Sequence, residues 1–164
     1  MTEWAAAPTT DPDISVGGAE QLRAEVRLRM KPNTAARGYV DGAWWPRSHE
    51  PAAEFPGLVL AMSSWIGPIH RVTYHLHDWD RTGRELTVDG WTVALVGLPT
   101  LDANTVVVTG PSQRRMILLV VPPETPGGAA RAVLRAAAGP DTVASVELIL
   151  ASNGVRTTRQ GHHI

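Results

Sequence analysis

The chain has 164 residues, with 15 basic and 16 acidic side chains and a formal net charge of −1. So even a balance argues against a broad electrostatic footprint for nucleic acid or for an anionic membrane. There is no cysteine, which excludes disulfide scaffolds, thiolate zinc sites, iron–sulfur clusters and cysteine nucleophiles.

Residues 1–20 are rich in Ala, Pro, Thr and Gly and read as a disordered arm. They lack the basic stretch followed by an apolar one that marks a secretory signal. No run reaches the roughly 18 apolar residues of a membrane span, so a cytoplasmic protein without membrane contact is expected. A single α+β domain over residues 21–152 should follow, with a tail over 153–164. A domain of this size can bury about two-thirds of its unfolded surface and needs no metal to fold.

Over residues 23–31, Ala24, Val26, Leu28 and Met30 alternate with Arg23, Glu25, Arg27, Arg29 and Lys31. That is a half-buried strand ended by Pro32. Three of the nine aromatic residues then fall in Gly38-Tyr39-Val40-Asp41-Gly42-Ala43-Trp44-Trp45-Pro46-Arg47-Ser48. With Asp41-Gly42 as a two-residue turn, Val40, Ala43 and Trp45 would share one face, and Tyr39 and Trp44 the other.

Ser48 can cap a helix whose apolar stripe is Phe55, Leu58, Val59, Met62, Trp65 and Ile66. Its regular part should start near Glu54, after a loose lead-in from His49, and Gly67-Pro68 should stop it. Residues 69–77 alternate again, as Val72, Tyr74 and Leu76 against Arg71, Thr73, His75 and His77. Residues 84–88 and 91–96 flank Asp89-Gly90, the signature of a type I′ hairpin. Such a turn pairs Val88 with Trp91, Thr87 with Thr92 and Leu86 with Val93.

Residues 105–109 and 115–121 are short apolar runs that suit central strands of an antiparallel sheet. Thr125 and Pro126 should open a helix striped with Ala130, Val133, Leu134 and Ala137 and ended by Gly139-Pro140. Residues 143–151 fit a short third helix better than a strand, capped by Asp141 or Thr142. The sum is an α+β fold: an antiparallel or mixed sheet of about five to six strands with two or three helices on one face.

The strand Arg27-Leu28-Arg29-Met30-Lys31-Pro32, the segment from Gly38 to Ser48, Val72-Thr73-Tyr74 with Asp78-Trp79-Asp80, and Leu118-Leu119-Val120-Val121-Pro122-Pro123 occur in that order. This resembles an actinobacterial family of small cytoplasmic proteins classed only as a domain of unknown function. The likeness runs over residues 23–138, and Asp-Gly-Ala-Trp-Trp-Pro-Arg-Ser is its most specific string. It implies one domain and a cytoplasmic location, and it brings no activity, cofactor or site residue.

His75 and His77, two apart on a strand, would project from one face as metal ligands do. Asp78 or Asp80 could add a carboxylate and His49 a third imidazole, but Arg71 on that face opposes a cation. No metal and no cofactor are therefore expected. No Gly-x-Ser-x-Gly elbow or phosphate-cradling loop occurs, and Pro126-Gly127-Gly128 lacks the required spacing. An enzyme would have to draw on Asp41, His75, His77 and Asp78. A basic strip of Arg23, Arg27, Arg29 and Lys31, with Arg71 beside it, would be the surface for RNA or a ribosome. The favoured reading is a binding or regulatory domain engaging a protein partner or a small ligand. Tyr39, Asp41, Trp44 and Arg47 would border its binding surface, with Trp45 structural.

Overall fold

A strand turns successive side chains to opposite sides, so a chain with apolar residues at adjacent strand positions needs cover on both faces of its sheet. Trp44-Trp45 and Leu118-Leu119-Val120-Val121 are such positions, and both faces are covered. The structure, a computed structural model, describes residues 25–32, 38–140, 142 and 144–155. The arm at residues 1–20 and the tail beyond residue 155 lie outside the described residues.

Among the described residues, seven strands form one mixed sheet: β1 (Leu28–Met30), β2 (Gly42–Trp44), β3 (Arg71–His75), β4 (Glu85–Val88), β5 (Trp91–Leu98), β6 (Thr105–Thr109) and β7 (Arg115–Val120). Their order is β1-β2-β7-β6-β3-β5-β4. Pairs β2–β7 and β3–β5 are parallel, and the other four are antiparallel. The expectation of α+β holds, with more strands than the five or six read from the sequence. The extra strand is β2, a three-residue piece inside the segment read as a turn.

Among the described residues, three α-helices pack on the sheet: α1 (Pro51–Ile66), α2 (Gly127–Ala137) and α3 (Val146–Ser152). They do not share a face. Helix α1 brings Phe55, Leu58, Val59 and Met62 against Trp44, Leu118 and Val120. Helices α2 and α3 bring Val133, Leu134 and Leu150 against Ala43, Trp45, Leu119 and Val121. The sheet thus separates two hydrophobic clusters, and alternation along β2 and β7 feeds both.

The local elements follow the sequence closely. Asp89 and Gly90 have φ of +50° and +91°, as a type I′ turn requires. The register pairs Val88 with Trp91, Thr87 with Thr92 and Leu86 with Val93. Gly67, at φ +89°, closes α1 by donating its N–H to the Ser63 carbonyl at 3.1 Å. The α2 stripe of Ala130, Val133, Leu134 and Ala137 is buried.

Three helix details differ from the reading. Helix α1 begins at Pro51 rather than near Glu54, and Trp65 stands exposed instead of joining its stripe. No side chain caps α2, and Thr125 is buried. Ser145, rather than Asp141 or Thr142, caps α3, its hydroxyl accepting from the Leu148 N–H at 3.3 Å. The chain then turns at Asn153-Gly154, and Val155, placed in the tail by the sequence reading, packs into the second cluster.

Candidate functional site

The residues singled out in the sequence do not form one surface. Asp41-Gly42 is not a hairpin turn. A Cβ on Gly42 would fall on the Arg29 carbonyl and stand 2.9 Å from Met30 Cα, so glycine is there to let β1 approach. The Val40–Ala43 pairing is replaced by β2 lying between β1 and β7, with Ala43 opposite Arg29 and Leu119.

Trp44 therefore points into the first cluster and is 2 % exposed. It stacks on Trp79 at 5.5 Å and 17°, and lies 6.0 Å from Phe55. Trp44 is thus a core residue, and its edge also lines, with Arg47, Glu54 and Gly57, a cleft of about 130 Å3. Trp45, 9 % exposed, enters the second cluster. Its indole N–H donates to the Pro123 carbonyl at 3.3 Å, and the Arg27 guanidinium lies 3.6 Å above its ring.

Asp41 works on the backbone. Its N–H donates to the Ile117 carbonyl at 2.7 Å, and its Oδ2 accepts from the Ile117 N–H at 2.8 Å. The side chain thereby continues the β2–β7 ladder one residue past the strand. Arg47 is exposed on another side of the molecule, where its Nη1 donates to the Glu25 carbonyl at 2.8 Å. The Arg47 N–H and the Ser48 hydroxyl donate to the two oxygens of Glu54, fixing the lead into α1.

The supposed basic strip is split: Arg71 stands on β3, separated from β1 by β2, β7 and β6, while Arg29 is exposed on β1. Arg23 lies outside the described residues. Arg27 donates to the Trp45 and Pro46 carbonyls at 2.9 and 3.0 Å, and burial, followed by the charge of Arg47, lowers its pKa. Lys31 is buried, with its Nζ donating to the Thr142 carbonyl.

His75 ends β3, whereas His77 sits in a 3-10 turn, Leu76–Asp78, so the two do not project from one strand face. The His77 N–H donates to His75 Nδ1 at 3.3 Å, and Asp78 Oδ2 accepts the Asn104 N–H at 2.6 Å. Among the described residues, no three His, Asp or Glu side chains converge as a metal site would need.

Tyr39 remains, 62 % exposed, at the mouth of a cleft of about 360 Å3. The cleft exists because α2 and α3 lie over only one end of their sheet face. Beyond them Ile117, Val107, Thr73 and Val96 pair in a row across β7, β6, β3 and β5, all half-buried. Ile117 and Val107 form the floor. Leu101, Asp102 and Ala103 form one wall, and Ser145, Val146 and Glu147 at the start of α3 form the other. The sequence reading missed both walls. The available signal was Ser145 followed two residues later by Glu147, a helix start that sets its first turn beside the sheet.

The chain matches the model of a family of unknown function, DUF5994, over residues 27–137. That is more than half of its length, and the chain belongs to this family. No curated protein and no solved structure matches it. Among the described residues, no helix is long and apolar enough to cross a membrane.

Proposed function

We propose that this is a cytoplasmic ligand-binding domain that takes a small molecule in the cleft beneath Tyr39. The observation that supports this is the cleft itself, about 360 Å3 with a floor of Val107 and Ile117. Small-molecule sites are concave, mostly apolar and about 300–1,000 Å3, with a few polar groups that orient the ligand. Tyr39, Asp102, Ser145 and Glu147 supply those groups. A ligand with an apolar body would lie on the sheet, and Tyr39 would fold over it as an amphipathic cover.

The test is a thermal-shift screen of small molecules, with each hit mapped by amide chemical shifts. Ligands should move the signals of Tyr39, Val107 and Ile117. Val107→Trp, which fills the floor from a half-buried position, should abolish binding and leave the melting temperature within a few degrees. Hits that map elsewhere, or that bind Val107→Trp equally well, would overturn the assignment, as would a screen that leaves these signals unmoved.

A further inference from the structure

The cleft beneath Tyr39 carries charge of one sign. Its two walls each bring one carboxylate, Asp102 from the segment before β6 and Glu147 from the first turn of α3. Both are exposed, and neither makes a hydrogen bond or ion pair among the described residues. No Lys, Arg or His lines the cleft among the described residues. The chain as a whole is close to neutral, so the excess is local and not a share of a general acidity.

The surroundings keep that sign. Asp41 sits against the floor, where its Oδ2 accepts the Ile117 N–H at 2.8 Å. Lys31 is buried with its Nζ on the Thr142 carbonyl, ahead of α3. Arg115 lies two residues from Ile117 on the same sheet face and pairs with Thr109. That places it at the end of the floor away from Leu101, Asp102 and Ala103, which lead into β6 at Thr105. The cleft is therefore acidic at its walls, apolar along Val107 and Ile117, and basic only beyond them.

Resting on the reading that this cleft binds a small molecule, we infer that its ligand is an amphipathic cation, an ammonium group on an apolar body. A cleft lined by one sign of charge over an apolar floor concentrates the opposite charge. The ammonium lies between Asp102 and Glu147, and the hydrocarbon part rests on Val107 and Ile117. Tyr39, 62 % exposed at the mouth, adds an aromatic ring, whose face attracts a cation passing over it. An anion of the same body would meet two like charges.

Hexylammonium, hexanol and hexanoate share one chain and differ in the charge of the head group. Each is titrated into the full chain and followed by the amide signals of Val107 and Ile117. Hexylammonium should bind more tightly than hexanol by about fivefold, the upper value of one exposed ion pair, and hexanoate more weakly than hexanol. Added salt should weaken hexylammonium and leave hexanol unchanged. In the double variant Asp102→Asn, Glu147→Gln, which keeps the size of both side chains, hexylammonium should lose its advantage over hexanol. Equal binding of the three probes, or an advantage that survives in the double variant, would overturn the cationic class while the cleft stayed a binding site. Signals unmoved by all three would instead remove the cleft reading itself, and this inference with it.

Discussion

Trp44 and Trp45 are neighbours in sequence and belong to different cores, because consecutive strand positions face opposite ways. Truncating either leaves a large hole in a packed cluster, at a cost of about 3–5 kcal/mol. Denaturant melts of Trp44→Ala and Trp45→Ala should both show severe losses, and a mild loss for Trp44→Ala would contradict its place against Phe55 and Trp79. Tyr74, buried on the Trp44 side, has its pKa raised by that burial. The unfolded hydroxyl titrates near pH 10 (about its ordinary value), below the folded one. The stability linked to this proton is therefore full below about pH 10 and is lost as pH rises through the folded pKa. Tyr74→Phe should lose less stability than the parent between about pH 9 and pH 11, a window spanning the ordinary tyrosine value, as read from urea midpoints.

At the level of elements, two Asp-Gly pairs carry the same local signal and do different things. Asp89-Gly90 makes the tight turn between β4 and β5, and a Cβ on Gly90 would meet nothing within 4 Å. Gly90→Val should therefore be destabilising through backbone strain alone, by roughly 1–3 kcal/mol. Asp41-Gly42 instead brings β1 against β2, and Gly42→Ala would drive a methyl into the Arg29 carbonyl. Overpacking of that kind costs about 1–3 kcal/mol, and it should loosen β1 selectively. Hydrogen exchange at Trp45, whose N–H donates to the Arg27 carbonyl at 2.9 Å, should speed up more than exchange in β6. Uniform acceleration across both strands would contradict a local role for Gly42.

At the scale of the whole molecule, the described residues form one sheet carrying two apolar layers. Ile69 lies in the α1 layer and Ile149 in the α2–α3 layer, both fully buried. Ile69→Val and Ile149→Val should each cost about 0.5–1.5 kcal/mol. Because they share no partners, the double variant should equal the sum within about 0.5 kcal/mol. It should still unfold in a single transition, since β2 and β7 serve both layers. Two separate transitions would mean that the layers are independent folding units.

The amino-acid sequence by itself determined the hairpin of β4 and β5, the central pair β6 and β7, the α2 stripe and the α+β class. Each rests on contacts between residues close along the chain, where turn chemistry and periodicity act directly. The pairing of β2 with β7, the two-sided cover of the sheet and the cleft beneath Tyr39 were decided only by tertiary structure. Gly42 read alone is equally a turn residue or a point of close approach, and only the presence of β1 at Arg29 tells which. A binding cleft is a property of what the helices leave uncovered, and no local pattern records that.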